Sequence, residues 1–244
     1  MPMDRSFFCA RRRISMCLFL LTLTCILILA FLVWASASIK SGVYLQAFCR
    51  EKTSDKVVYL TFDDGPAGAE TEAALDVLKA RGAVATFFII GKNVKGQEPL
   101  VSRILAEGHF VGIHTFSHAN TFPLYSKRLM VNDIDACKSI LDRLSGEDVR
   151  LFRPPFGVVN PTVSYAVKKL GLKTVGWSIR SFDTRDYRQD DKSCSLVLAR
   201  IMRRIKPGSV ILLHDRLPGE SALVSRLLDL LDAAGYHYDR PLPM

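Results

Sequence analysis

Two kinds of hydrophobic pattern divide this chain. Residues 14–39 (ISMCLFLLTLTCILILAFLVWASASI) carry no charge, and about 20 apolar residues suffice to cross a bilayer core as a helix. Beyond them, short β-rich runs alternate with segments whose apolar residues recur at helical spacing. Residues 57–62 (VVYLTF), 84–90 (VATFFII), 110–114, 150–153, 173–177 and 209–213 read as strands, and 236–239 as a last short one. The spacing predicts helices over 70–81, 99–107, 126–144, 162–170, 193–205 and 221–233, the first two stopping at Gly82 and Gly108. A strand–helix unit repeated about seven times predicts a mostly parallel sheet flanked by helices, either closed into a barrel or open and doubly wound. No GxGxxG follows the first strand, which leaves a dinucleotide-binding open sheet little support.

Charge gives the apolar segment a direction. The chain of 244 residues has a net charge of +9. Residues 1–40 hold Arg5, Arg11, Arg12, Arg13 and Lys40 against Asp4 alone, a net of +4 beside the segment. The positive-inside rule then puts residues 1–13 in the cytoplasm, 14–36 across the membrane as a signal-anchor, 37–55 outside as a linker, and 56–244 outside as one α/β domain. Trp34 suits the far interface. Ala35-Ser36-Ala37 resembles a signal-peptide cleavage site, but the apolar stretch exceeds the about 7–15 residues usual for such a peptide. The remaining charge forms no basic stripe of the kind that argues for nucleic acid. Of six cysteines, Cys49, Cys137 and Cys194 are expected outside the membrane; an odd number leaves at least one unpaired, and no zinc-finger spacing occurs.

The candidate chemistry gathers at strand ends. Asp63 and Asp64 follow the first strand, His114 and His118 close or follow the third, and Arg153 ends the fourth. Asp183 comes shortly after the strand ending at Trp177, and His214 and Asp215 follow the one ending at Leu213. In a parallel barrel the C-terminal strand ends share one face, where active sites are built. Adjacent carboxylates diverge, so one of Asp63 and Asp64 can bind a metal while the other faces substrate. His114 and His118 are four apart, which would set both imidazoles on one face of a helical turn and suits zinc. His109 and His237 fall outside the set, with His109 a candidate to support the metal ligands from behind.

TFDDGP (61–66), GHFVGIHTFSH (108–118), RPPFG (153–157) and LLHD (212–215) resemble, in order, the motifs of the carbohydrate esterase family 4 polysaccharide deacetylases. The resemblance implies a distorted (β/α)7 barrel and removal of N-acetyl groups from a polysaccharide, with one divalent metal, zinc or sometimes cobalt. Asp63 matches the family's general base, and Asp64, His114 and His118 its metal triad. Arg153 matches the arginine that holds the base, and His214 the general acid, with Asp183 the candidate for its partner carboxylate. Leu212 matches the residue lining the acetyl-methyl pocket, and the N–H of Phe156 the donor facing the oxyanion. The fourth motif departs from the family pattern: Arg180 stands where the family has an Asp, and Thr184 where it has the Trp of the groove wall.

The resulting expectation is a membrane-tethered deacetylase whose partner is an N-acetylated cell-envelope polysaccharide, peptidoglycan foremost. A linker of roughly 15 residues cannot reach far. It therefore also suits a lipid-linked sugar at the membrane surface. O-acetyl ester hydrolysis would use the same site, and a non-catalytic glycan-binding protein is the alternative of another class.

Overall fold

The computed structural model describes residues 5–243, with side chains from residue 15 onward. The basic cluster expected in the cytoplasm thus lies outside the described residues or side chains. Helix α1 (Arg5–Ala37) contains the apolar span Ser15–Ala37, 23 residues long. At about 1.5 Å per residue that matches a hydrocarbon core of about 30 Å. Its side chains from residue 15 to 34 are exposed on every face, so this stretch buries nothing against the rest of the protein until Ala35.

Strands β1 (Ala47–Phe48), β2 (Val58–Asp63), β3 (Ala85–Ile89), β4 (Phe110–Ile113), β5 (Leu151–Phe152), β6 (Lys173–Val175), β7 (Ile179–Arg180) and β8 (Ser209–His214) form one all-parallel sheet. Its order is β1-β6-β5-β4-β3-β2-β8-β7. Strands β6 and β7 lie near opposite ends of that order yet are separated by only residues 176–178, so the sheet must curl on itself. Helices α2 (Ala69–Ala80), α3 (Glu98–Ala106), α4 (Lys127–Ser145), α5 (Pro161–Lys169), α7 (Asp191–Arg204) and α8 (Glu220–Ala233) connect the strands or follow them, with a short α6 (Asp183–Asp186) after β7. This is the distorted α/β barrel that the motif resemblance implies, one of the two architectures the alternation allowed.

Strand periodicity of two sorts the side chains. Val58, Leu60, Phe62, Phe87, Ile89, Ile211 and Leu213 join the large core under the helices. Their alternates Tyr59, Phe88, Val175 and Val210 form a second core on the inner side of the curl. Thr61 and Asp63 continue the inner column of β2, and Leu212 and His214 that of β8. The inner face therefore runs from apolar packing to ionisable groups as the strands approach their C-terminal ends.

Two sequence expectations need correction. Residues 236–239 form no strand: His237 N–H→Lys56 O at 2.7 Å and Val58 N–H→His237 O at 2.8 Å make one isolated parallel bridge beside Val57, and Val84 N–H→Tyr238 O at 2.9 Å adds a single contact, too few for a ladder. Residues 37–55 are not a free linker in this fold, because β1 pairs with β6. Ile39 is buried, Val159 N–H donates to Ser36 O at 2.9 Å, and Lys40 Nζ donates to Ser178 O at 3.0 Å. Cys49, Cys137 and Cys194 are unbridged.

Candidate active site

Strand register delivers the first two groups. Parallel pairing of β2 with β8 sets Asp63 opposite His214. Asp64 follows in the left-handed region (φ 75°), which turns its carboxylate away from that of Asp63. After β4 the chain leaves the sheet through Thr115 (φ 67°) and His118 (φ 46°). No helical turn joins His114 to His118; an irregular bend brings them together, which corrects the expectation drawn from their spacing. Backbone strain of this kind persists only where surrounding structure enforces it.

Asp64, His114 and His118 offer one ligand atom each, all within 4.8 Å of one another. Asp64 Oδ1 lies 3.5 Å from His114 Nε2 and 3.3 Å from His118 Nε2. Zinc–ligand bonds of about 2.0–2.1 Å in a tetrahedron give ligand–ligand edges of about 3.3 Å, so the donor set fits such an ion. His114 Nδ1 donates to Arg153 O at 2.7 Å, which leaves Nε2 with its lone pair facing the site. Burial, helped by the nearby His114, pushes the His118 imidazole down to about 4, so it stands neutral as a ligand must. Burial alone would raise the Asp64 carboxyl, but the neighbouring His114 and His214 imidazoles hold it well below the usual carboxylate range. Arg216 adds to this, Nε donating to Asp64 Oδ2 at 2.7 Å.

Asp63 is fixed from inside the barrel. The fully buried Arg153 donates through Nη1 to Asp63 Oδ1 at 2.6 Å and to Thr61 Oγ1 at 2.9 Å. Its Nε and Nη2 donate to the carbonyls of Val175 and Gly176 at 3.2 and 2.9 Å, and its guanidinium lies 4.1 Å from the Phe88 ring centroid. The second oxygen, Asp63 Oδ2, accepts no hydrogen bond among the described residues and lies 3.8 Å from His114 Nε2. Across from it, His214 Nδ1 donates to the buried Asp183 Oδ1 at 2.9 Å. Burial would lower His214, but the hydrogen bond and charge of Asp183, with Asp63 and Asp64, raise its pKa above the ordinary imidazole value. Behind Asp183 sits the fully buried Glu220 of α8. Burial, then the charges of Asp183 and Asp215, push its carboxyl well above the usual range, which favours its neutral form beside Asp183.

These groups surround a cleft of about 150 Å3 lined by Asp63, Asp64, His114, His118, Phe156, Leu212 and His214, with Gly157, Trp177, Arg180, Thr184 and Arg216 completing it. Arg153 and Asp183 stand behind it, hydrogen-bonded to Asp63 and His214. Pockets that enclose a whole ligand run to about 300 Å3 or more. The cleft therefore admits an acetamido-sized arm and leaves a sugar ring at its rim. Phe156 is held at φ 61°, its ring exposed and 5.0 Å from that of His118, and its N–H has no acceptor among the described residues.

A family model described as Polysaccharide deacetylase matches residues 50–175. The chain belongs to the polysaccharide deacetylase family. A peptidoglycan-N-acetylglucosamine deacetylase of Bacillus cereus is 38% identical over 189 residues, covering 75% of this chain and 68% of its own. The peptidoglycan-N-acetylmuramic acid deacetylase PdaA of Bacillus subtilis is 33% identical over 193 residues, 79% of this chain and 72% of its own. A crystal structure of a polysaccharide deacetylase from Bacillus cereus superposes with a TM-score of 0.70 at 36% identity, covering 77% of this chain and 93% of that one.

Within this deacetylase, three cleft residues escaped the sequence reading as parts of the site: Gly157, Trp177 and Arg216. Trp177 supplies an aromatic wall although Thr184 occupies the position of the family's Trp. A Cβ at Gly157 would come within 2.4 Å of the Trp177 ring, so glycine lets that wall approach. Arg216 directly follows the LLHD motif, and that adjacency was its only trace in the sequence. His109 precedes β4 while His114 follows it, about 16 Å apart at about 3.3 Å per residue. It accepts the Ala85 N–H at 3.3 Å and does not support the metal ligands, contrary to expectation. Asp215 is fully buried; burial pushes its carboxyl up to about 7, and Thr71 Oγ1 donates to it at 2.6 Å. A Cβ on Gly65 would meet Asp215 Oδ2 at 2.4 Å, with the aspartate fixed by Thr71. Gly65→Ala is therefore expected to destabilise the fold by about 1–3 kcal/mol. Thermal unfolding checks this, and an unchanged melting temperature would contradict the packing.

Proposed function

We propose that this deacetylase removes acetyl groups from the amino sugars of peptidoglycan, with zinc as resident ion and cobalt as a working substitute. The observation that carries the reading is the Asp64–His114–His118 ligand triangle, set beside the free oxygen of Asp63 and across the cleft from a proton-bearing His214. Zinc held there would polarise the acetamide carbonyl and lower the pKa of water at the site. Asp63 accepts a proton from the attacking water at Oδ2 while Arg153 keeps Oδ1 still. The Phe156 N–H points its dipole at the oxygen on which charge develops. His214 gives its Nε2 proton to the amine nitrogen as the carbon–nitrogen bond breaks, so acetate and a free amino sugar leave. Asp183 keeps that imidazole charged and oriented, and Leu212 packs against the acetyl methyl. The domain over residues 56–244 carries this chemistry, and α1 anchors it to the membrane with the domain outside the cytoplasm.

The test uses the full chain in detergent. After chelation to below one-tenth metal per chain, acetate release from N-acetylglucosamine oligomers and peptidoglycan should fall at least about 100-fold, and zinc or cobalt should restore it. Asp64→Ala should bind no stoichiometric zinc and stay inactive after reloading. Full turnover by verified metal-free protein would end the metal-centred reading.

A further inference from the structure

The rim of the cleft carries an arginine that the acetamide chemistry does not use. Arg180 ends β7, where Ile179 faces the core under the helices and the alternation turns Arg180 toward the cleft it lines. Its guanidinium stacks 4.9 Å from the Phe182 ring centroid and 5.9 Å from that of Trp177. The neighbouring arginines are all engaged by carboxylates: Arg216 by Asp64, and Arg185 and Arg200 together by Asp186. Arg180 makes no ion pair or side-chain hydrogen bond among the described residues. Arg185 and Arg200 also flank the Phe182 ring, at 4.6 and 5.2 Å, so three guanidinium groups surround one aromatic side chain while Asp186 pairs with only Arg185 and Arg200.

Such a cluster leaves a net positive field at the mouth, and stacking on two rings fixes Arg180 at little further entropic cost. Register locates it. Arg180 pairs with Leu212, the residue that packs the acetyl methyl in the proposed function, and neighbouring strands lie about 4.8 Å apart. An Arg side chain spans about one sugar ring from there.

We propose that Arg180 forms an anion subsite that selects substrates bearing a carboxylate or phosphate on the reacting amino sugar or the sugar next to it. This rests on the deacetylase reading and narrows it. A guanidinium with its donors unspent binds either oxyanion bidentately, whereas a neutral glucosamine oligomer offers it only hydroxyls. The subsite thus converts a general acetamide hydrolase into one that recognises charge within one ring of the bond it breaks.

The test compares kcat/KM on matched substrates with metal-loaded full chain. Peptide-free glycan strands, whose muramic lactyl groups carry carboxylates, are set against the same strands methyl-esterified. N-acetylglucosamine 1-phosphate is set against its methyl glycoside. The charged-to-neutral ratio should be about ten for wild type in at least one pair, and the pair that shows it names the anion. It should fall as ionic strength rises. Arg180→Gln should bring that ratio close to one, and Arg180→Lys should retain part of it. Because the readout is a ratio within each variant, a general loss of activity does not imitate the effect. A wild-type ratio near one in both pairs, or a ratio unchanged in Arg180→Gln, overturns the subsite while the deacetylase reading stands. No acetate from any of the four substrates overturns the deacetylase reading and the subsite with it.

Discussion

Asp63→Asn should bind zinc with wild-type stoichiometry and lose a factor of about 100 to 10,000 in kcat. The asparagine carbonyl can still accept from Arg153 Nη1, so the inner hydrogen bonds to Thr61 and the carbonyls of Val175 and Gly176 persist. What disappears is the oxygen beside His114 that can take a proton. The variant also leaves the buried Arg153 without a counter-charge, so its melting temperature should fall. Turnover is therefore normalised to metal-loaded, folded protein. A wild-type kcat on that basis would remove Asp63 from the role of base.

His214→Ala should cost a comparable factor, because an amine leaves poorly unless it is protonated. The more informative measurement is the pH profile. His214 acts in its protonated form, and its pKa is raised, so activity should persist above the ordinary imidazole range and fall as pH rises through the raised value. Asp183→Asn removes the charge that contributes most to that elevation. The alkaline limb of kcat should then move to lower pH, whereas a purely structural defect would lower the whole profile without moving it. An alkaline limb that stays in place in Asp183→Asn would separate His214 from the acid role.

Much of the site was legible because it rests on strand ends. A strand alternates faces with period two, so residues 61 and 63 of β2 and 212 and 214 of β8 could be put on one side from the sequence alone. The helical turn expected between His114 and His118 failed for a local reason. Left-handed backbone at Thr115 and His118 is not written in residue type, since neither is glycine. Strand β1 was read as linker because two residues, Ala47 and Phe48, carry no periodic pattern; partner β6 alone makes them a strand. Residues 236–239 failed in the opposite sense, with a β-like composition but only one isolated bridge, Val57 to His237. Trp177, Arg216 and Glu220 escaped because their roles are relational. Each matters through a residue far away in sequence, Gly157, Asp64 and Asp183 respectively.

The segment after α1 docks on particular neighbours. Ser36 O takes the N–H of Val159, three residues past Phe156, and Lys40 holds the carbonyl of Ser178, next to Trp177. With α1 in a bilayer, that attachment is a stiff mount at the lip of the cleft rather than a flexible leash at its back. A leashed enzyme searches a hemisphere with every orientation available. A mounted one works at a single height, with the opening aimed in a fixed direction, so glycan lying in that layer meets it at high local concentration and glycan farther out scarcely at all. The enzyme would then act as a plane-bound tool whose pattern on the wall records distance from the membrane.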